Sequence, residues 1–390
     1  MHLNEAHRLQ NIREYYFAQK LKEIARLNLE GPPVINLGIG SPDLPPHPDV
    51  VAALCQSARL PQNHGYQPYR GLAALRQAMA DRMQRWYGFS PDPETEILPL
   101  MGSKEGIFHI SLAFLNPGDV VLVPNPGYPA YAATAHLAGA EVKTYSLWEE
   151  GTTSTHFDQL ETMDWERVKM VWLNFPHMPT GQLATAQDFE KWVSLAHQHQ
   201  FLLIHDNPYA LILQDSPRSL WQTEGAREVS LELHSLSKSH NLAGWRLGWL
   251  TGQAKWLDSV LKVKSNQDSG MFKAVQEAAI VALGLPDDWY KALNHQYLQR
   301  KRVAELILKT LGCQWLPQQK GMFLWTRIPS PFVDGCAFSE ALLEQSRVFL
   351  TPGGVFGAAG QGHVRLSLCA ECSVLEEALE RVSKNKITKL

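Results

Sequence analysis

The sequence has 390 residues, of which 45% are hydrophobic and 19% charged, a composition typical of a globular protein with a large buried core. Lysine and arginine number 36 and aspartate and glutamate 39, so the net charge is −3, which argues against a nucleic-acid-binding protein. The longest apolar runs, such as 201–204, are too short to span a bilayer, and the N-terminus has no apolar signal region. Because the five cysteines are an odd number, they fit a reducing compartment, and we expect a cytoplasmic protein with no membrane partner.

The elements predicted first along the chain are an amphipathic helix over residues 6–28 and a short strand at 34–37. A helix follows from about Leu72 to Tyr87, and beyond it short apolar runs alternate with helical stretches. The clearest strands are 120–123, 170–173 and 201–204. Strands separated by helices predict a parallel α/β sheet, and ligands of such sheets bind at the carboxyl ends of the strands.

The C-terminal part has a different pattern, with one long helix or two at 287–311 and a closing helix at 373–383. Short strands and a turn are predicted between them, at 314–330 and 348–368. This pattern indicates a second, smaller α+β domain. We predict three segments: an N-terminal arm that completes the small domain, a large domain and a C-terminal small domain, at 1–47, 48–284 and 285–390.

The segment from Ser235 to Trp249 is the most informative part of the sequence. Lys238 lies among hydroxyls and small residues, and Arg246 follows eight residues later. A lysine becomes a nucleophile when burial or a nearby cation lowers its pKa. The side chains of Ser235, Ser237 and Arg246 could hold a phosphate, and an activated lysine beside a phosphate site is what pyridoxal phosphate requires. The alternative is a surface helix start rich in serine and lysine.

Two further segments follow predicted strands. In 205–209, Asp206 could pair with a protonated ring nitrogen and Tyr209 could reach the phenolic oxygen of that ring, although Asp206 could instead cap a helix. In the proline-rich turn at 124–131, Tyr128 could present a flat face to a ring ligand or could be a core tyrosine.

Two glycine-containing turns lie next to groups that could bind an anion. The turn at 102–106 precedes an apolar helix, so its free backbone N–H groups suit an anion or form a simple N-cap. Arg365 stands in an apolar strand after a glycine-rich turn and needs either a substrate carboxylate or a structural ion pair. Cys369 and Cys372 form an isolated CxxC without further ligands, so no metal site is predicted.

Together these segments resemble the class I/II aminotransferases, which are fold-type I pyridoxal-phosphate enzymes, over residues 15–382. The segment 264–273 and the turn at 102–106 are similar to those of LL-diaminopimelate aminotransferase-like members. The resemblance implies an α/β fold with a mostly parallel seven-stranded sheet flanked by helices, plus a smaller α+β domain. It also implies pyridoxal 5′-phosphate as the cofactor and ping-pong transfer of an amino group between an L-amino acid and a 2-oxo acid.

The resemblance also implies roles for individual residues. Lys238 should bind the cofactor aldehyde and shuttle the proton, Asp206 should pair with the pyridine nitrogen, and Tyr209 should contact the ring oxygen. The other cofactor contacts implied by the matching motifs are Ser103, Lys104, Tyr128, Asn174, Ser235 and Arg246, to which Ser237 is added from the lysine segment.

For the substrate, the resemblance assigns the α-carboxylate to Arg365, with the backbone near Ile39 and Gly40, and Asn174, close to it. Tyr66 matches a tyrosine that reaches the phosphate of the neighbouring subunit. This match implies a homodimer with shared active sites.

One position departs from the family pattern. The family reads Asn-x-Pro-x-Asn-Pro-Thr-Gly, whereas residues 174–181 place Met178 where the second asparagine donates to the ring oxygen. Methionine cannot donate a hydrogen bond, so Tyr209 alone, or Asn174, His177 or a water, would serve that oxygen. Our hypothesis is that the nitrogen linking Lys238 to the cofactor therefore has a higher pKa than it would with asparagine.

Substrate and reaction type remain open at the level of the sequence. The candidate donors are diaminopimelate, aspartate, alanine or an apolar amino acid. A β-lyase of the same fold would have the same cofactor site. A non-enzymatic sensor would need a DNA-binding domain, for which the sequence shows no basic helix-turn-helix pattern.

Overall fold

The computed structural model describes residues 3–10, 12, 16–146, 157–385 and 387. The helix predicted at 6–28 lies partly outside the described residues, at 11 and 13–15. The described part of that range contains a short 3₁₀ helix, His7–Leu9, and the first α-helix, α1, at Tyr16–Glu30. The predicted single helix is therefore wrong at its start, and the α-helix extends farther toward the C-terminus than we predicted.

The remaining α-helices and the strands alternate along most of the chain. The helices are α2 (Pro48–Ala58), α3 (Ala73–Tyr87), α4 (Ser103–Phe114), α5 (Pro129–Leu137), α6 (Asp158–Glu161), α7 (Ala186–His199), α8 (Ala226–Val229), α9 (Leu236–Ser239), α10 (Ala254–Ser265), α11 (Lys273–Gly284), α12 (Asp287–Thr310), α13 (Gly335–Ser346) and α14 (Cys372–Lys384). The strands are β1 (Ile35–Asn36), β2 (Ile97–Leu100), β3 (Val120–Pro124), β4 (Glu141–Tyr145), β5 (Val168–Asn174), β6 (Leu202–Asp206), β7 (Ser230–Ser235), β8 (Gly248–Thr251), β9 (Gln314–Trp315), β10 (Phe323–Arg327), β11 (Val348–Phe349), β12 (Thr351–Pro352) and β13 (His363–Ser367).

The central sheet confirms the predicted α/β fold. Within the described part of the chain, seven strands form one sheet in the order β2-β8-β7-β6-β5-β3-β4. Only β8 runs antiparallel to its neighbours, and the other pairings are parallel. The inner strands are apolar and buried, since helices cover both faces of a parallel sheet.

The two smaller sheets are formed by strands from the N-terminal and C-terminal parts of the chain. An antiparallel sheet has the order β12-β13-β10-β9, and β1 pairs in parallel with β11. Strand β1 thereby connects the N-terminal segment to the C-terminal part, and α12 is one helix rather than two. The boundaries between domains at 47/48 and 284/285 remain a prediction.

Three neighbouring strands place polar residues at one edge of the central sheet. The last residues of β5 and β6, Asn174 and Asp206, are paired in register, and β7 ends nearby at Ser235. Because the carboxyl ends of parallel strands lie at the same edge of a sheet, these three residues lie close together. In the described residues no helix is long and apolar enough to cross a membrane.

Candidate active site

A cavity of about 470 Å³ lies at this edge of the sheet. Nearly all the candidate residues from the sequence line it, and Met178 lines it as well. The predicted residues in its wall are Ile39, Gly40, Ser103, Lys104, Tyr128, Asn174, Asp206, Tyr209, Ser235, Ser237, Lys238, Arg246 and Arg365. The structure thus brings together residues that are far apart in the sequence.

Lys238 is held in the short helix α9, where Ser235 is the N-cap residue and accepts a hydrogen bond from the backbone N–H of Ser237. Its Nζ donates to the carbonyl oxygen of Gly40 at 2.7 Å. Burial lowers the pKa of Lys238 to about 8; the charges of Arg365 and Arg246 act in the same direction, and Cys369 opposes them. A larger share of the amine is therefore neutral near neutral pH than in an ordinary lysine, as a nucleophile requires.

Asp206 is buried at the end of β6, with only 3% of its surface exposed. Its Oδ2 accepts a hydrogen bond from the hydroxyl of Tyr131 at 2.7 Å, while its Oδ1 has no hydrogen-bond partner among the described residues. Burial raises the pKa of Asp206 to about 6, although the Tyr131 hydroxyl and His205 act in the opposite direction. No helix begins directly after Asp206, so the alternative of a helix cap is wrong.

Asn174 connects Asp206 to the loop that contains Met178. Its side-chain Nδ2 donates to the backbone oxygen of Asp206 at 2.7 Å, and its Oδ1 accepts from the backbone N–H of Met178 at 2.8 Å. His177 does not line the cavity, and its Nδ1 lies 2.8 Å from the hydroxyl of Thr180. Burial lowers the pKa of His177 to about 3, so its ring is neutral.

The start of α4 forms a cradle for an anion. Gly102 precedes the helix with a φ of +87°, and a Cβ at that position would overlap the guanidinium of Arg246. Nη1 of Arg246 lies 3.5 Å from the hydroxyl of Ser237 and donates to the carbonyl of Ala243 at 2.9 Å. The free N–H groups and the positive end of the helix dipole at α4 therefore meet a fixed guanidinium and a hydroxyl, an arrangement suited to a phosphate.

Arg365 projects from β13 into an aromatic environment. Its Nη2 donates to the carbonyl of Gly38 at 2.7 Å, and its guanidinium carbon lies 3.9 Å from the ring centre of Phe323 and 4.6 Å from that of Phe356. The two rings and the Gly38 carbonyl hold the guanidinium in one orientation. Such a fixed, buried cation suits a carboxylate ligand.

These groups fit pyridoxal 5′-phosphate. The amine of Lys238 suits an aldehyde, and the unpartnered oxygen of Asp206 suits a protonated ring nitrogen. The cradle at Gly102, which a side chain would fill, suits the phosphate. The fit therefore depends on three chemically different groups of the cavity wall.

One predicted residue lies elsewhere, and several residues of the cavity wall were missed by the sequence analysis. Tyr66 does not line the cavity and is 93% exposed. The missed wall residues are Phe17, Ala18, Leu21, Ser41, Tyr131, Pro208, Ala243, Phe323 and Phe356. Of these, Tyr131 had a local signal, because it follows Tyr128 by three residues at the start of a helix and so lies on the same side.

The comparisons with known proteins agree with this geometry. Residues 32–382 match the family described as Aminotransferase class I and II. The chain belongs to this family. It is a pyridoxal-phosphate-dependent aminotransferase, which transfers an amino group between amino acids and 2-oxo acids.

Individual relatives of this aminotransferase match it over nearly its whole length. It is 38% identical to the LL-diaminopimelate aminotransferase of Nitratidesulfovibrio vulgaris, with 97% of this chain and 98% of the relative covered. The enzyme of the same name from Moorella thermoacetica is 37% identical, with 98% of both chains covered. Neither the β-lyase nor the sensor alternative is favoured by these relatives.

Solved structures of aminotransferases have the same fold. Substrate-bound BacF from Bacillus subtilis superposes on this aminotransferase with a TM-score of 0.92 at 34% identity, covering 100% of both chains. A probable N-succinyldiaminopimelate aminotransferase from Thermus thermophilus has a TM-score of 0.87 at 34% identity, covering 94% of this chain and 99% of its own. The predicted fold type I is confirmed.

Proposed function

We propose that this aminotransferase works by a ping-pong mechanism in which Lys238 is the catalytic base. The observation that carries the proposal is the position of Lys238, with its lowered pKa, in one cavity with Asp206 and Arg365. Bound pyridoxal 5′-phosphate supplies the aldehyde that takes up the amino group and a ring that withdraws electrons. Lys238 would hold the cofactor through this aldehyde, and the amine of Lys238, when free, would remove the α-proton of the amino acid and return it.

The other residues of the cavity position these reactants. Asp206 would hold a proton on the pyridine nitrogen, and Tyr209 with Asn174 would contact the ring oxygen. Tyr128 would stack on the ring, and Arg365 would bind the substrate α-carboxylate beside the backbone of Ile39 and Gly40. The residues that would bind the phosphate are Ser103, Lys104, Ser235, Ser237 and Arg246.

We propose a homodimer in which Tyr66 completes the active site of the partner. The support is its 93% exposure outside the cavity of its own subunit. Lys238→Ala and Tyr66→Ala should each be strongly impaired, but a mixture refolded together should regain activity. In a mixed dimer one site carries both substitutions and the other carries neither. Activity that stays at the level of the two separate variants would rule out shared sites.

We propose LL-diaminopimelate as the first amino donor to test. The names of the relatives that are 37–38% identical support this choice, and the apolar wall formed by Phe17, Ala18 and Leu21 suits a chain of methylene groups. Aspartate, alanine and apolar amino acids are the alternative donors. We further propose a cytoplasmic location, which the five free cysteines support.

The test is the visible spectrum of the purified protein with pyridoxal 5′-phosphate, before and after single amino acids are added without an acceptor. We expect a visible band that Lys238→Ala lacks, and its conversion by one donor to the absorbance of the aminated cofactor. If pyruvate accumulates from the added amino acid while the visible band stays unchanged, the protein is instead a lyase. A spectrum identical in wild type and Lys238→Ala would overturn the role of Lys238.

A further inference from the structure

Tyr131 contacts the reaction centre through Asp206, although the proposed function gives it no role. Its hydroxyl donates to Oδ2 of Asp206 at 2.7 Å, and both residues lie in the wall of the cavity. Only 1% of the surface of Tyr131 is exposed, so water does not compete for this hydrogen bond. A buried hydrogen bond to a carboxylate is both stronger and more directional than one between neutral groups.

The ring of Tyr131 is held between two other aromatic side chains. It stacks on Trp172 with ring centres 4.8 Å apart and planes 10° apart, and it meets Tyr128 edge-on at 5.6 Å. Burial, and then the charge of Asp206, raise the pKa of Tyr131 well above its ordinary value. The hydroxyl therefore keeps its proton, and its donor direction is fixed by the packing of the ring.

This contact makes the two oxygens of Asp206 different. Oδ2 is occupied by Tyr131, whereas Oδ1 has no hydrogen-bond partner in the described part of the chain. The other titratable groups near the carboxylate are His205 beside it, Tyr209 after the strand, Tyr128 from the turn before α5 and Lys238 across the cavity. Without the Tyr131 hydroxyl, neither oxygen of Asp206 would accept a hydrogen bond from the residues that the structure describes, and the carboxylate would not be held in one rotamer.

We propose that Tyr131 is a positioning residue that binds one oxygen of Asp206 and thereby presents the other to the ring nitrogen of the cofactor. The inference rests on the proposed pairing of Asp206 with that nitrogen. Its consequence is that the hydroxyl of Tyr131 contributes to cofactor affinity and to turnover without touching cofactor or substrate.

The chain offers a matched control in Tyr145. That tyrosine is also buried, and its hydroxyl donates to the backbone oxygen of Trp172, the residue on which Tyr131 stacks, at 2.6 Å. Tyr131→Phe and Tyr145→Phe each delete one buried hydroxyl beside the same tryptophan. Only the first deletion removes a donor from Asp206, so the pair separates the proposed role from a general loss of packing or stability.

The first measurement is the dissociation constant of pyridoxal 5′-phosphate, from titration of the cofactor-stripped protein followed by absorbance. Tyr131→Phe should weaken binding about ten-fold or more, the usual effect of losing a hydrogen bond to a charged group. Tyr145→Phe should stay within about two-fold of wild type. In the reconstituted enzyme, Tyr131→Phe should lower kcat and leave KM for the donor unchanged. Equal cofactor affinities in the two variants would overturn the proposal.

A double-mutant cycle with Asp206→Asn gives an independent check. If Tyr131 acts through Asp206, adding Tyr131→Phe to Asp206→Asn should change the dissociation constant by less than about two-fold. Additive losses would contradict a role through Asp206. A wild-type protein that binds no pyridoxal 5′-phosphate would overturn the proposed function itself, whereas tight binding that is insensitive to Tyr131→Phe would overturn only this inference.

Discussion

The sulfur of Met178 lies 3.3 Å from Nη1 of Arg365. The residue that stands where a donor to the cofactor ring oxygen is expected therefore contacts the arginine proposed to bind the substrate carboxylate. Met178 is 4% exposed, and its backbone N–H is held by Asn174. Its thioether replaces a donor with an apolar surface between the proposed cofactor and carboxylate sites.

We predict that Met178→Asn lowers the pKa of the nitrogen that links Lys238 to the cofactor, because an amide donor stabilises the ring oxygen as an anion. The measurement is a titration of the visible absorbance of the holoenzyme against pH. Met178→Leu is the control, since it removes the sulfur but adds no donor, and its pKa should match that of wild type. An unchanged or higher pKa in Met178→Asn would contradict the hypothesis.

Substitutions at two glycines should separate backbone strain from loss of the phosphate cradle. Gly102 and Gly88 both have positive φ, of +87° and +79°, but a Cβ would overlap Arg246 only at Gly102 and would meet nothing within 4 Å at Gly88. Gly88→Ala should cost about 1 kcal/mol of unfolding free energy, and Gly102→Ala should cost more, because its ψ of 154° places it in a backbone region that is almost restricted to glycine. Only Gly102→Ala should also weaken binding of pyridoxal 5′-phosphate, by about ten-fold. Equal cofactor affinities in the two variants would show that the cradle does not hold the phosphate.

Burial of Lys238 should destabilise the cofactor-stripped protein at neutral pH. The folded-state pKa is about 8 against an ordinary value of 10.5, so the unfolded chain binds more protons between these values, and stability should rise with pH across that window. Below pH 8 the full free-energy cost of burying the charged amine is present, and Lys238→Met should raise the unfolding free energy at pH 7 by about 3 kcal/mol. Urea unfolding at several pH values measures this.

The matched control for this measurement is Lys262→Met on α10, where the lysine is exposed. Its stability should differ little from wild type, within about 0.5 kcal/mol, at every pH. A destabilised Lys238→Met protein at neutral pH would mean that the charged amine is well accommodated in the fold, contrary to its lowered pKa.

A buried polar cluster next to Asp206 should contribute to stability. The carboxylate of Glu232, on β7, is fully buried, accepts a hydrogen bond from Asn207 at 2.9 Å, and lies 3.3 Å from Nδ1 of His205. Burial alone would raise the pKa of Glu232, but His234, His205 and Ser219 outweigh it and hold the pKa at about 2.

Glu232→Gln should therefore lower the unfolding free energy by about 2 kcal/mol or more, because one of its two acceptor oxygens, which bind Asn207 and Ser219, becomes an NH2 donor and the negative charge is lost. Chemical denaturation at neutral pH measures the loss. Glu228→Gln, at an exposed site on α8, serves as the control and should be nearly neutral. Similar stabilities for both variants would mean that the buried charge contributes no net free energy.

Much of the fold could be predicted because its signals are local. The apolar runs at 120–123, 170–173 and 201–204 are the inner strands β3, β5 and β6 of the central sheet, and the helix predicted at 72–87 begins one residue later. The ends of these strands were predicted less well. Strand β6 continues to Asp206 because its neighbours in the sheet provide hydrogen-bond partners that the sequence around it does not show.

The family, the cofactor and most of the cavity wall could be predicted from short motifs, because the lysine segment and the residues at strand ends carry their chemistry locally. The pairing of the polar groups could not be predicted, since it depends on contacts made in the folded chain. Tyr131 and Asp206 are 75 positions apart, and Met178 and Arg365 are 187 apart. Packing of α5 against the central sheet and the approach of β13 to the loop after β5 bring these atoms within hydrogen-bond distance. Burial in that packed environment, which no short motif encodes, shifts the pKa values of Lys238 and Asp206 in opposite directions.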